Sequence, residues 1–284
     1  MKNFHKLIHF AAIVILFFNC SGSTTQTGIK EGADTLASTI EDREAIIKEI
    51  EPQETAKYKS VIEIPVPEGY TRAECDSGSF GFYLKHLPLK TENNTVYLFD
   101  GYEKGSQDVH FAVIKMDVGT KDLQQCADAV MRLRGEYLYS EKKYSEIHFN
   151  FLSDGKPRYY TQYAGTDRSY TKFRKYMDYI FSYANTSSLH DELKAVKLED
   201  IQPGDVFIQK GNPYGHAVTV MDVAINNETG AKIFMLSQSY MPAQEIHILR
   251  NPNNEELSPW YRTGFTGSFF TPEWIFSDED LMRF

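Results

Sequence analysis

The sequence predicts an α+β domain in which a mainly antiparallel sheet packs with two or three helices. Two extended apolar runs, His216 to Ile225 and Lys232 to Ser239, flank the turn-forming stretch Asn226 to Gly230 and read as a hairpin. Leu123, Cys126, Val130, Leu133 and Tyr137 recur at helical period. Helices and strands are segregated along the chain, whereas a parallel sheet would need them to alternate.

Taken in order, Val61 to Val66 reads as a strand, interrupted by Pro65 and closed by Pro67 and Gly69. Ser79 is a candidate N-cap for a short helix through Phe80 and Leu84, stopped by Pro88. Thr95 to Phe99 and His110 to Met116 are expected as strands across a turn-rich Asp100 to Gln107. The clearest helix is expected from a Thr120 cap to about Tyr139. Ile147 to Leu152 alternates as a strand, Ser153 to Pro157 turns, and Arg158 to Tyr163 continues extended. A second helix begins near Ser169, with Phe173, Tyr176, Ile180 and Phe181 inward. Beyond it, Pro203 to Asp205 turns into a strand, Val206 to Gln209, and Glu245 to Leu249 adds another.

Ahead of this domain, Lys2 and Lys6 precede an apolar stretch from Leu7 to Phe18, then Asn19 and Cys20. Spanning a bilayer takes about 20 apolar residues, so this shorter run reads as an export signal over residues 1–19. A cysteine closing such a run marks lipid attachment at Cys20. The polar and charged residues that follow, to residue 57, have little to bury and form a tether. A single globular domain is expected over residues 58–284. No acidic cluster follows Cys20, which favours a periplasm-facing, lipid-anchored protein of the bacterial cell envelope over one displayed outside the cell.

The net charge of −9 and the lack of a basic patch make nucleic acid a poor partner. No CxxC or HExxH spacing occurs, so no metal site and no cofactor are expected. With Cys20 acylated, Cys75 and Cys126 either pair in a disulfide or stay free.

The chemistry-bearing segment is Gly204-Asp205-Val206-Phe207-Ile208 followed, after a loop, by Gly215-His216-Ala217-Val218-Thr219-Val220. Over these few residues it resembles the β core of NlpC-type papain-like cell-wall hydrolases. That resemblance implies a papain-like core, with an upstream cysteine attacking an amide and the histidine taking its proton. Such a thiol needs a partner because it is only slightly ionised at neutral pH. Cys126 is the candidate nucleophile and Cys75 its rival; Cys126 equally suits a buried core position on the apolar stripe. Were Thr120 the cap, Cys126 would lie past the first turn, where the helix dipole helps less.

His216 is the candidate base, or else a strand-start histidine held by a carbonyl. Pairing Ile225 with Gly230 would put His216 opposite Ser239, and a one-residue slip would bring Gln238 there, to orient the imidazole. Tyr159, Tyr160 and Tyr163, beside Arg158 and Arg168, form a candidate glycan-binding patch, since aromatic rings pack on sugar faces.

At larger scale the chain resembles an uncharacterised family of lipoproteins from Bacteroides-type bacteria, the domain of unknown function 4846. The residues carrying this are Asp122 to Arg134, Gly204 to Ala224, Ser237 to Leu249, Ser258-Pro-Trp-Tyr261 and Thr271-Pro-Glu-Trp274. Two functions follow as expectations. One is a membrane-anchored cysteine amidase or peptidase acting on cell-wall peptide. The other is a non-catalytic envelope lipoprotein that binds glycan, peptidoglycan or a protein.

Overall fold

The computed structural model describes residues 57–284; the expected export signal, the expected lipid attachment at Cys20 and all but the last residue of the expected tether, 20–57, lie outside the described residues. Among the described residues five helices are formed: α1 (Phe80–Lys85), α2 (Cys126–Ser140), α3 (Tyr160–Ala164), α4 (Tyr170–Phe181) and α5 (Thr186–Glu192). The strands are β1 (Tyr70–Arg72), β2 (His110–Val113), β3 (His148–Asn150), β4 (Pro157–Tyr159), β5 (Lys194–Ala195), β6 (Val206–Gln209) and β7 (His216–Asn226). They continue with β8 (Lys232–Gln238), β9 (His247–Leu249), β10 (Trp260–Arg262), β11 (Ser268–Phe270), β12 (Ile275–Ser277) and β13 (Leu281–Arg283). No described helix is long and apolar enough to cross a membrane.

A nine-stranded sheet in the order β2-β9-β8-β7-β6-β13-β5 organises the domain, with β1 added to β7 and β10 to β8. Every pairing in it is antiparallel, which makes the class α+β. The long strand β7 is buried from His216 to Ala224, because both faces of the sheet are covered. On one face Ala217, Met221, Ala224, Ile233 and Met235 pack against α1 and α2. The opposite face, carrying Val218, Val220, Phe234 and Leu236, is sealed by Phe269 and Phe276 from the β11–β12 hairpin. A bulge between Val220 and Asp222 holds both sets on their faces along the strand.

Sequence explains the helix layer. Ser79 caps α1 by accepting the Phe82 N–H, and Ser169 caps α4 by accepting the Lys172 N–H, both at 3.2 Å. Gly135 lets α2 approach α4, since a Cβ there would sit 3.0 Å from the Met177 sulfur. The Gly204-Asp205 turn is structural. Gly204 has φ +96°, and its missing Cβ makes room for Phe80. The Asp205 carboxylate is bound by Arg283 at 2.6 Å and by the Gln202 N–H at 2.9 Å.

Five helices stand among the described residues where two or three were expected, and three expected elements differ in kind. Val61–Glu63 is a 3-10 turn where a strand was expected; the prolines at 65 and 67 deny a ladder its donors, and Arg72 takes the Ile64 carbonyl instead. Residues 95–99 make only isolated bridges, because side chains take their backbone groups: Gln107 binds Val96 and Glu245 binds the Tyr97 N–H. The extended run expected to Tyr163 stops at Tyr159, and α3 follows, with the fully buried Tyr160 packed into the aromatic layer.

Candidate functional site

The decisive local feature is where α2 begins. The helix starts at Cys126 with Gln125 as N-cap, five residues after the Thr120 cap the sequence suggests. Side chains hold residues 117–125 out of the helix. Arg132 binds the Asp117 carbonyl and Gln124 Oε1, Asp122 accepts from Gln125 Nε2, and Ser239 binds the Gln124 carbonyl. Asp128 reaches back to accept the Gln125 N–H at 3.1 Å, half of a capping box. Cys126 therefore occupies the first helical position, where unpaired N–H groups and the dipole favour an anion. The objection that it lay past the first turn falls away.

The Cys126 sulfur lies 3.9 Å from Thr186 Oγ1 and 4.0 Å from the Gly215 carbonyl oxygen, and the Ala127 and Ala217 N–H groups also reach it. Gly215 and Ala217 flank His216 in the chain. In an extended strand the carbonyl before a residue and the amide after it point to the same edge, so the sulfur sits on the edge of β7 beside His216. Burial, and then the Asp128 carboxylate, push the thiol pKa up, against the lowering pull of Thr186 and the two amides. Cys126 opens onto a cleft of about 180 Å³ lined by Asp128, Thr186, Tyr214 and Met241. Both described cysteines are free, which answers the disulfide question.

His216 is 1% exposed and its ring is enclosed by Tyr240, Trp274 and Phe276, with centroids 5.0, 5.1 and 5.8 Å away. Its Nε2 hydrogen-bonds Gln238 Oε1 at 2.9 Å. The pair is diagonal, where the sequence reading had them directly opposed. Thr219 pairs with Ser237, so Gln238 continues opposite Val218, two residues along and on the same face as His216. The turn closes with Ile225 opposite Lys232 where Gly230 is expected, and the bulge in β7 takes back one residue of that two-residue shift.

Gln238 is itself held by a group the sequence reading missed. Its Nε2 donates to Glu273 Oε2 at 2.6 Å, and Glu273 is bridged to Lys104 at 2.5 Å. A carboxylate accepts and does not donate, so the amide nitrogen must face Glu273 and the amide oxygen must face His216. Nε2 of His216 then carries the proton. Burial pushes the His216 pKa down to about 4, so near neutrality the ring is uncharged and Nδ1 is bare. Glu273 and Trp274 come from the Thr271-Pro-Glu-Trp274 segment, an acid before a tryptophan that gave the only sequence signal for them. Behind Gln238, His247 is buried and pushed down to about 3, chiefly by desolvation.

The aromatic patch is placed differently from expectation. Tyr160 is fully buried and presents no face to a sugar, whereas Tyr159 and Tyr163 are half-buried, Tyr163 stacked on Tyr179 at 5.3 Å. Among the described residues no cluster of His, Cys, Asp or Glu has the geometry for a metal ion.

A thiol at a helix start, set against the strand that carries a tautomer-fixed histidine, defines an α+β protein with a candidate cysteine–histidine pair. Residues 61–168 and 154–283 match the model of the domain of unknown function 4846, and the chain belongs to that family. No curated protein and no solved structure matches the chain.

Proposed function

We propose that the protein is a cysteine-dependent amidase or peptidase of the bacterial envelope, acting on cell-wall peptide and held at the membrane through a lipid on Cys20. The observation that carries this reading is the Cys126 sulfur lying against the backbone on both sides of His216, whose Nε2 is fixed by Gln238 at 2.9 Å. A thiol at a helix start beside a strand-opening histidine with an amide partner supports the finer reading of a papain-like core of the NlpC type. The anchor and short tether suit a periplasmic, wall-facing site.

In this mechanism the resting pair is a thiol and a neutral imidazole. His216 Nδ1 accepts the Cys126 proton as the sulfur attacks the scissile carbonyl. The oxyanion is met by the Cys126 N–H, which has no acceptor among the described residues. The C–N bond breaks as the imidazolium returns the proton to the leaving amine. Water, deprotonated by the same nitrogen, then opens the thioester to a carboxylic acid. The net change is amide plus water to acid plus amine, with no redox partner.

The test is digestion of purified muropeptides and intact sacculi by the wild type and by Cys126→Ala, with products followed by mass spectrometry. New amine and acid termini made only by the wild type are the expected result. Identical product profiles would sink the amidase reading. A second reading, a non-catalytic envelope protein binding glycan or a protein, draws on the burial that keeps Cys126 a thiol and on the half-exposed Tyr159 and Tyr163. It predicts retention of sacculi by both proteins with no cleavage.

A further inference from the structure

Beside the Cys126 sulfur stands Thr186, the first residue of α5. Its backbone is fixed by the turn that starts the helix. Asn185 Oδ1 accepts the Ser187 N–H at 2.9 Å and the Ser188 N–H at 3.1 Å, and Ser188 Oγ accepts the Asn185 N–H at 3.0 Å. Leu189 then anchors α5 in the core that also holds Ala127 of α2 and Ala217 of β7. The side chain is fixed as well. A Cβ on residue 215 would run into the Gln209 carbonyl and lie 3.0 Å from Thr186 Cγ2, so the threonine methyl fills space that Gly215 leaves beside β7. A β-branched side chain is stiff at χ1, and with the methyl seated there the hydroxyl lies 3.9 Å from the sulfur.

That hydroxyl has no other partner among the described residues. The Gly215 carbonyl, 4.0 Å from the sulfur on the β7 side, can only accept. It takes the thiol proton, which leaves the Thr186 O–H to donate to the sulfur. Loss of the thiol proton sharpens this division of roles. A carbonyl oxygen repels a thiolate, whereas a hydroxyl binds it in a charge-assisted hydrogen bond that tightens as the charge develops. No lysine or arginine lines the cleft, and His216 is uncharged near neutrality because burial pushes its pKa down to about 4. Neutral donors therefore carry the charge on sulfur. Burial, and then Asp128, raise the Cys126 pKa; first among the groups that oppose them is Thr186, ahead of the Ala127 and Ala217 amides. Of these three donors it alone belongs to a side chain.

We infer that the Thr186 hydroxyl is the side-chain donor that stabilises the Cys126 thiolate, aimed by the seat its methyl finds at Gly215. Resting on the reading of Cys126 as an amidase nucleophile, this makes Thr186 a further catalytic residue. In the attacking step the S–H bond breaks, the proton passes to His216 Nδ1 and the sulfur electron pair forms the bond to the scissile carbonyl carbon. The Thr186 proton stays on its own oxygen throughout, so the hydroxyl binds charge and relays nothing. It serves again when water opens the thioester and the sulfur departs with the electron pair. An aliphatic side chain of the same shape would fill the space and leave that charge unmet.

Alkylation of the full chain by iodoacetamide, resolved by site in the mass spectrometer and followed as a function of pH, reads the Cys126 thiol directly and needs no substrate. Cys75 in the same molecule is the internal reference. Thr186→Val keeps the branched shape and removes the O–H, whereas Thr186→Ser keeps the O–H and removes the methyl. Thr186→Val is expected to slow Cys126 alkylation near neutral pH about tenfold, the scale of one hydrogen bond to a charged group. Its midpoint should move up by about one pH unit, with Cys75 unchanged. Thr186→Ser should keep most of the wild-type rate, which a role in packing alone would not allow. Amide hydrolysis should fall in the same ratio through kcat, with KM held. An unmoved midpoint in Thr186→Val, or equal slowing in the two variants, would overturn the assignment. A shifted midpoint in a protein whose wild type cleaves no amide would uphold the donor and sink the amidase reading alone.

Discussion

Cys126 and Cys75 are both free and half-buried, both stand near the start of a helix, and both open onto clefts. Their surroundings differ. Neither cleft is lined by a histidine; the Cys75 sulfur has the Ala73 carbonyl, at 3.9 Å, as its hydrogen-bond partner among the described residues, in a cleft lined by Glu74, Asp76 and Arg134. Cys126 has two backbone N–H groups and a hydroxyl turned toward its sulfur, which lies against the edge of β7 at the backbone on either side of His216. Exposure and residue type are shared, so neither makes a nucleophile. The difference lies in the groups turned toward the sulfur and in the strand it lies against.

The largest expected effect that would break this comparison is on turnover. His216→Ala should reduce amide hydrolysis by roughly 10²–10⁴, the usual contribution of a positioned base, while Cys75→Ala should leave it unchanged. Equal losses from the two variants would mean that both act through folding. Next comes the support behind the histidine. Glu273→Ala frees the Gln238 amide to turn over and present its NH₂ to His216. The expected result is a mixed imidazole tautomer by ¹⁵N NMR, where the wild type is protonated at Nε2, with about tenfold slower turnover. A wild-type spectrum dominated by the Nδ1–H form would contradict the network, whatever the activity.

Acidity gives a third test. The His216 pKa lies near 4 in the folded protein, below the ordinary histidine value of about 6.5. The base form therefore persists down to about pH 4, and the acid limb of the rate profile is expected there. An acid limb at 6.5 would place the titrating base elsewhere.

The smallest effect concerns stability. His247 is neutral in the fold down to about pH 3, whereas the unfolded chain takes up the proton below about 6.5. Its contribution is intact above 6.5 and is lost as pH falls toward 3, at up to about 1.4 kcal/mol per pH unit. His247→Gln should flatten urea-unfolding stability across that window by up to this slope. An unchanged slope would show that His247 becomes protonated within the fold.

Much of this was legible in the sequence, for identifiable reasons. The β7–β8 hairpin, the Ser79 and Ser169 caps and the burial of Phe173, Tyr176 and Ile180 follow from period and capping chemistry. The start of α2 was not legible, because its cap is a glutamine and the preceding loop is held by Arg132 and Ser239, which come from later in the chain. The Gln238–His216 partnership is diagonal where the sequence suggests a direct pair, because neither the longer turn, with Ile225 opposite Lys232, nor the bulge in β7 has a sequence mark. Glu273, Lys104 and Thr186 were missed altogether. They are far apart in sequence, and only the folded sheet brings them to the end of β7.

The most direct measurement of the central claim is site-resolved mass spectrometry of the intact protein after treatment with a peptidyl acyloxymethyl ketone, an electrophile that needs an activated thiol. The Cys126–His216 account predicts a single adduct on Cys126, strongly reduced in His216→Ala, with Cys75 unmodified. Adduct on Cys75, or equal labelling of Cys126 with and without His216, would contradict it.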